Sequence, residues 1–194
     1  MSDTKTLIEN LRIFPKTYFS LNDLKKFYPG KESNLGVVLN RLTKQKRIFR
    51  LRRGFYTLNL STLDWESLSS EMLKPSYISL EYALWRYGVI SEIPARITLV
   101  TTKKPRLYIF PNNTFEYSHF NSALFFGYRI EKNVLLAEKE KALLDEFYLI
   151  SLKKREINLG SFTLSSLNKN LLKKWLKFYP AFTQKLAEKV LSKE

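Results

Sequence analysis

Cysteine is absent from this 194-residue sequence, and histidine occurs only once, as His119. The chain therefore has no disulfide, catalytic thiol or cysteine-bound zinc, and one histidine cannot build a histidine-rich metal site. The sequence has no apolar run of 18 residues, and its first residues, MSDTKTLIEN, lack the apolar segment of a signal peptide. We therefore expect a soluble, cytoplasmic protein that needs no cofactor and does not enter a membrane.

Glycine is also scarce, with six residues in the chain. Gly36, Gly88 and Gly127 each stand alone, so the sequence offers no glycine-rich loop that would cradle a phosphate. No serine lies in a G-x-S-x-G pattern, which excludes that type of nucleophile. We predict no catalytic residue and expect that the protein is not an enzyme.

One enzyme class stays open as an alternative for a basic protein, the metal-dependent nucleases, in which carboxylates hold an ion beside the scissile phosphate. The sequence offers Glu138, Glu140, Asp145 and Glu146 within one predicted helix. Their spacing does not place all four on a single helix face. We therefore predict no metal site here.

Acidic residues are few relative to basic ones, because 18 Asp and Glu face 33 Lys and Arg, giving a net charge of +15. Residues 1–60 carry 13 basic and 4 acidic side chains, residues 61–150 carry 10 and 11, and residues 151–194 carry 10 and 3. A uniformly lysine-rich composition would not leave the middle of the chain near neutral. Two basic ends indicate an anionic partner, most often nucleic acid.

The first 60 residues predict three short helices. Ser20 is expected to cap the second helix, with Asp23 three residues later, and Ser33 is expected to cap the third. The apolar positions of the third helix share one face. These positions are Leu35, Val38, Leu39 and Leu42. The positions left facing outward are Asn34, Val37, Asn40, Arg41 and Lys44.

Two strands follow the third helix, at 48–51 and 55–58, and Gly54 in the connection supplies the positive φ that a hairpin turn needs. Three helices and a hairpin are the order of a winged helix-turn-helix, with the third helix in the major groove and the hairpin along phosphates. The predicted DNA-binding residues are Ser33, Asn34, Asn40, Arg41, Lys44, Arg47, Arg50, Arg52 and Arg53. Two alternatives are a solvated edge hairpin, whose charges prevent strand pairing, and a winged helix used for protein contacts.

The fold class predicted for the whole chain is α+β, with a winged helix-turn-helix at 1–60, a serine-rich linker at 61–76 and an α+β domain at 77–194. Within this domain, ITLVT (97–101) and RLYIF (106–110) are predicted to form a β-hairpin, and 135–150 a helix. The apolar stripe over 164–179, with lysines opposite, predicts a basic helical tail. Such a tail packs on its own domain or binds a membrane, RNA or an acidic partner.

Several motifs follow one another along the chain, beginning with RLRRGFYTL and YISLEYALWRYGVISEIPARITLVTTKK. FEYSHF, FFGY and LLAEKEKALLDEFYL come after them. In this order they resemble the AbiEi-type antitoxins, bacterial abortive-infection proteins of type IV toxin–antitoxin systems. The resemblance covers about residues 5–150, and the tail matches only in being helical and basic. EKAL in that family commonly follows a proline, which this sequence lacks.

The resemblance implies two roles. The winged helix would bind inverted repeats in the protein's own promoter and repress it, an arrangement compatible with an oligomer on double-stranded DNA. The second domain would counteract a nucleotidyltransferase-like toxin encoded beside it, without requiring a stable complex. Because some relatives occur without an evident toxin, a stand-alone transcriptional regulator is the alternative.

A second basic cluster lies around the predicted hairpin turn of the second domain. It consists of Arg96, Lys103, Lys104 and Arg106. If the chain acts as an antitoxin, this cluster is the candidate antitoxicity surface. The alternative is an ordinary solvated turn.

Overall fold

A computed structural model describes residues 2–156 and 162–192. The chain divides into two compact units, Met1–Trp65 and Glu66–Glu194. Helices and strands are mixed along both, so the α+β class predicted from the sequence is confirmed at that level. Those parts of the predicted tail that fall at 157–161 and 193–194 lie outside the described residues.

The first unit combines three helices with a small antiparallel sheet. Its elements are α1 (Ser2–Ile13), β1 (Phe19–Ser20), α2 (Leu21–Phe27), α3 (Glu32–Lys44), β2 (Phe49–Arg52) and β3 (Phe55–Thr57). The strand order is β1-β3-β2, so β2 forms one edge of the sheet. The three helices and the inner face of the sheet enclose one apolar core.

Most local predictions for this unit are confirmed. Ser20 caps α2 in a complete capping box, in which its hydroxyl accepts from the Asp23 amide and Asp23 accepts from the Ser20 amide. The four apolar positions of α3 are all buried. The prediction for Ser33 is wrong, because Lys31 is the N-cap residue and its carbonyl accepts from the Asn34 amide. The helix therefore begins at Glu32, directly after Lys31, and includes Ser33 in its first turn.

The second unit is built on a mixed six-stranded sheet. Its strands are β4 (Ser76–Ile78), β5 (Ile97–Thr101), β6 (Arg106–Phe110), β7 (Asn113–His119), β8 (Tyr128–Glu131) and β9 (Val134–Ala137). Its helices are α4 (Trp65–Met72), which begins at the boundary between the units, α5 (Leu80–Arg86), α6 (Lys139–Ser151), α7 (Lys169–Leu176) and α8 (Ala181–Leu191). Among the described residues, 3₁₀ turns occur at Ser122–Leu124 and Leu164–Ser166.

The strand order β6-β7-β5-β4-β9-β8 contradicts the predicted hairpin between β5 and β6. β7 lies between them, parallel to β5 and antiparallel to β6. All five residues of β5 are buried, so this strand needs neighbours on both sides, whereas β6 is largely exposed and suits an edge. The true hairpin therefore joins β6 and β7.

Three further segments differ from the sequence-based expectation. The predicted linker at 61–76 contains α4, which buries Leu68 and Ser69. The predicted helix at 135–150 begins only with α6, because its first residues form β9. The predicted helix at 164–179 consists of a 3₁₀ turn and the shorter α7.

A buried ion pair lies at the centre of the second unit. Lys141 and Asp145, one turn apart on α6, are fully buried and joined by a direct hydrogen bond. Tyr77 of β4, Ser79 before α5 and Tyr179 after α7 donate their hydroxyls to the Asp145 carboxylate at 2.7–3.0 Å. The same two tyrosine oxygens accept from the Lys141 ammonium, at 3.0 and 2.8 Å.

Burial lowers the pKa of Lys141, while Asp145 opposes this shift. Burial, followed by the charge of Asp145, raises the pKa of both Tyr77 and Tyr179, so both hydroxyls stay protonated and donate. The Lys141 ammonium also lies 4.8 Å from the centre of the Phe126 ring. We call these five residues, Tyr77, Ser79, Lys141, Asp145 and Tyr179, the Lys141 network.

We predict that Lys141→Met lowers the free energy of unfolding by about 3–5 kcal/mol, because it leaves the Asp145 charge buried without its cation. Urea unfolding followed by tryptophan fluorescence measures the loss, since Trp85 and Trp175 both lie in the second unit. Lys189→Met, at an exposed position of α8, is the matched control and should unfold like the parent. The double variant Lys141→Met, Asp145→Leu should lose less than the single one, and equal stability of Lys141→Met and parent would contradict the prediction.

Candidate functional site

The outward side of α3 is a continuous stripe of exposed residues. Its members follow the spacing i, i+4, i+7, i+11 and lie opposite the buried face. They are Ser33, Val37, Asn40 and Lys44. The side chains of Asn40 and Lys44 make no hydrogen bond or ion pair within the described part of the chain. These groups are therefore available to a partner.

Two residues of this side of α3 have no role in the interior of the unit. Val37 is 74% exposed, the highest exposure of any apolar side chain on this helix. Gly36 is also exposed, and a Cβ placed on it would meet no atom within 4 Å. Glycine weakens a helix interior relative to alanine, so internal packing does not explain this choice.

Arg41 occupies a different position from the other predicted contacts. Its Nη2 donates to Thr4 Oγ1 on α1 at 2.8 Å, although the residue as a whole is exposed. This bond holds the guanidinium at the side of α3 that faces α1. Arg41 therefore links two helices, and Asn40 is the better placed residue for a contact beyond the protein.

The hairpin of β2 and β3 presents its arginines to solvent. Arg50 and Arg52 alternate with the half-buried Phe49 and Leu51 along β2, so both arginines lie on the outer face. Arg53 lies in the turn beside Gly54, whose φ of 85° requires glycine or a strained residue. The nine predicted DNA-binding residues are all exposed on this unit. Lys44, Arg47, Arg50 and Arg53 have no acidic partner among the residues that the structure describes.

The second predicted surface divides into two parts. Arg96 and Arg106 line one cleft of about 480 Å³, beside the β6–β7 hairpin. Lys103 and Lys104 are exposed in the β5–β6 connection and do not line it. The Lys103 carbonyl lies 2.9 Å from Nδ1 of His119, the single histidine. We call this space the β6–β7 cleft.

Sequence reasoning missed three residues of the β6–β7 cleft, namely Glu116, Lys154 and Arg155. Glu116 accepts from Arg96 at 2.7 Å and from Arg155 at 2.9 Å. Burial would raise the pKa of Glu116, but the two arginines outweigh it and lower this pKa, so the carboxylate is ionised. The signal available in the sequence was the short basic run KKR at 153–155.

Arg155 also joins two carboxylates behind the cleft. Its Nη1 lies 3.1 Å from Glu81 and 3.9 Å from Glu146. Glu146 is fully buried, and neither of its oxygens has a hydrogen-bond partner among the described residues. Burial raises the pKa of Glu146 to about 8, because Arg155 compensates only in part.

The four carboxylates considered for a nuclease do not converge. Glu140 accepts from the Asn168 amide at 2.8 Å, Asp145 belongs to the Lys141 network, and Glu146 lies beside Arg155. Within 2–156 and 162–192 no group of three acidic, histidine or cysteine residues is arranged to hold a metal ion. No helix in these ranges is long and apolar enough to cross a membrane.

No protein-family model matches the chain, and no curated protein is significantly similar to it in sequence. The chain is similar in structure to the RV2827C protein from Mycobacterium tuberculosis, known from a crystal structure. The TM-score is 0.67 at 11% identity, over 99% of this chain and 77% of that chain. This likeness shows a shared fold.

We predict that Glu146 makes the protein less stable as the pH rises. The folded state keeps its proton up to about pH 8, whereas the unfolded chain loses it near the ordinary value of 4.5. Its stabilising contribution is therefore complete below that lower value and is lost as the pH approaches the higher one. Urea unfolding at about pH 5 and about pH 9 should show this decline in the parent and a much smaller one in Glu146→Gln.

Glu92→Gln, at an exposed position of the same unit, is the control and should keep the decline of the parent. If Glu146→Gln and the parent lose the same free energy of unfolding between these two pH values, the raised pKa of the buried Glu146 carboxyl is refuted.

Proposed function

We propose that this chain is a DNA-binding transcriptional regulator, and that its first unit is a winged helix-turn-helix. The supporting observation is that Lys44 of α3, and Arg47, Arg50 and Arg53 on and around β2, are exposed and have no acidic partner among the residues that the structure describes. Cations on a helix and a hairpin that are not neutralised by acidic residues can contact the phosphates of a DNA backbone. The order of three helices and a hairpin agrees with this class of module.

In this proposal α3 enters the major groove. Asn40 has the donor and acceptor of an amide in one plane, which matches the N6 and N7 edge of adenine. Lys44, one turn further along the same stripe, contacts a phosphate or guanine. Arg50 and Arg53 of the hairpin bind the flanking backbone or a narrow minor groove.

Val37 and Gly36 suit a contact between α3 and the bases of the major groove. An exposed valine beside Asn40 can pack against the methyl group of thymine, so we propose an A·T pair under the middle of α3. Gly36 lets the helix approach the DNA more closely than any residue with a Cβ would allow.

The roles of autorepressor and antitoxin rest on the resemblance to the AbiEi-type family. We propose that the chain represses its own promoter in the cytoplasm and counteracts a nucleotidyltransferase-like toxin through its second unit, without a stable complex. A stand-alone regulator is the second candidate, and it needs only the surface of the first unit. The nuclease alternative has no supporting observation, because the four carboxylates it would use do not converge on one site among the described residues.

The proposal predicts that Arg53→Ala weakens binding to any duplex DNA and flattens the salt dependence by about one unit of log–log slope, because one phosphate contact is lost. Fluorescence anisotropy over a salt series measures both effects. Arg12→Ala, which removes an exposed arginine from α1 of the same unit, is the control and should leave the slope unchanged. If Arg53→Ala and Arg12→Ala lose the same DNA affinity and the same salt slope, net charge alone determines DNA binding, and the prediction is contradicted.

Gly36→Ala should separate stability from binding. The free energy of unfolding of the free protein should rise by about 0.5–1 kcal/mol, because alanine favours the helix and its Cβ meets no neighbour. Binding to a specific duplex should weaken by about tenfold, or ~1.4 kcal/mol, because the Cβ stands between α3 and the DNA. Thermal unfolding by circular dichroism and anisotropy measure the two effects, and unchanged binding in the more stable variant would contradict the close approach.

A further inference from the structure

We propose that the β6–β7 cleft of the second unit binds a small phosphorylated molecule of the nucleoside monophosphate class. This inference is independent of the DNA-binding proposal, because it concerns residues of the second unit alone. Three features of the cleft support it, namely the charges, the shape and the apolar lining.

The cleft has a strong excess of positive charge. Four cationic residues line it, and they come from three separate segments of the chain. They are Arg96, Arg106, Lys154 and Arg155. Glu116 is the one carboxylate among the lining residues that the structure describes. Like charges brought together in a concave site attract an anion that can contact several of them at once.

The cations have two different roles. Glu116 holds Arg96 and Arg155 by direct hydrogen bonds, and Arg155 is further engaged by Glu81, so these two guanidinium groups are fixed in place. Arg106 and Lys154 are exposed and make no ion pair among the residues that the structure describes. The charge left for a ligand therefore comes from these two side chains. A phosphate monoester, which carries a charge of about −1.5 to −2 near neutral pH, matches two such cations.

The cleft also offers apolar surface. Leu107 on the edge strand β6 is 49% exposed, and the exposed Pro105 lines the same space. These groups cannot bind a phosphate, but they can pack against a planar base or a sugar. A volume of about 480 Å³ falls within the range of small-molecule sites. A mononucleotide combines both chemistries in one molecule.

The phosphates of double-stranded DNA are the alternative ligand for this cleft. The backbone of double-stranded DNA presents its phosphates on a convex surface, with the bases turned inward. An apolar lining inside a concave site therefore favours a detached molecule, and contact with DNA becomes an outcome of the test.

Isothermal titration calorimetry of the full chain with AMP, without DNA, tests this inference directly. We expect AMP to bind with a Kd tighter than about 1 mM. Arg106→Ala and Lys154→Ala should each weaken AMP binding by about tenfold, as the loss of a charge-assisted contact does. Lys189→Ala, an exposed lysine on α8, is the matched control and should bind AMP like the parent.

Two further probes separate the parts of the ligand. Adenosine, which lacks the phosphate, should bind at least about tenfold more weakly than AMP. Inorganic phosphate should compete with AMP but bind more weakly, because it lacks the apolar contacts. No binding of AMP, or AMP binding that both cleft variants leave unchanged, would overturn the inference. If AMP does not bind and the same two variants weaken binding to duplex DNA, the cleft is part of a nucleic-acid surface instead.

Discussion

The second unit depends on the burial of one ion pair, Lys141 with Asp145. Two charges without solvent are costly unless every donor and acceptor is satisfied, and here the tyrosines at 77 and 179 and Ser79 complete the set. These partners come from β4, the residue before α5 and the segment after α7. The ion pair on α6 is therefore satisfied only when all three segments pack against α6 at the same time. Gly127 belongs to the same constraint, because a Cβ there would lie 3.1 Å from the Lys141 side chain. A packing of the helices that separated these partners would leave a buried charge unsatisfied.

The first unit uses its charges in the opposite way. Its core is apolar, and its basic residues remain at the surface of α3 and the hairpin. Exposed cations contribute little to folding, since water solvates them fully. An open glycine and an exposed valine on α3 likewise add nothing to the stability of the free protein. The stability of the free protein therefore does not explain these surface residues. Their arrangement supports the proposal that DNA is the partner of this surface.

Helical periodicity and capping chemistry made the first unit largely predictable from the sequence. The buried face of α3 and the cap at Ser20 follow from local spacing, and the start of α3 was misplaced only because Lys31 lacks a capping side chain. The second unit was less predictable, because strand neighbours depend on long-range pairing, and β7 separates two strands that are adjacent in sequence. The burial of Lys141, Asp145 and Glu146 carries no local signal, since the same letters on a surface helix would be ordinary. The β6–β7 cleft was not predicted, although Arg96 and Arg106 of the predicted basic cluster line it, because its other cations come from a segment far along the chain.

The most direct test of the account is fluorescence anisotropy of the full chain with its own upstream promoter DNA and with a scrambled duplex of equal length, at two salt concentrations. A winged-helix regulator should prefer the promoter by roughly a thousandfold. With about five phosphate contacts, the log–log salt slope should lie near −4.5. Equal and equally salt-sensitive binding to both duplexes would contradict the central claim, because the net charge of +15 would then account for the whole affinity.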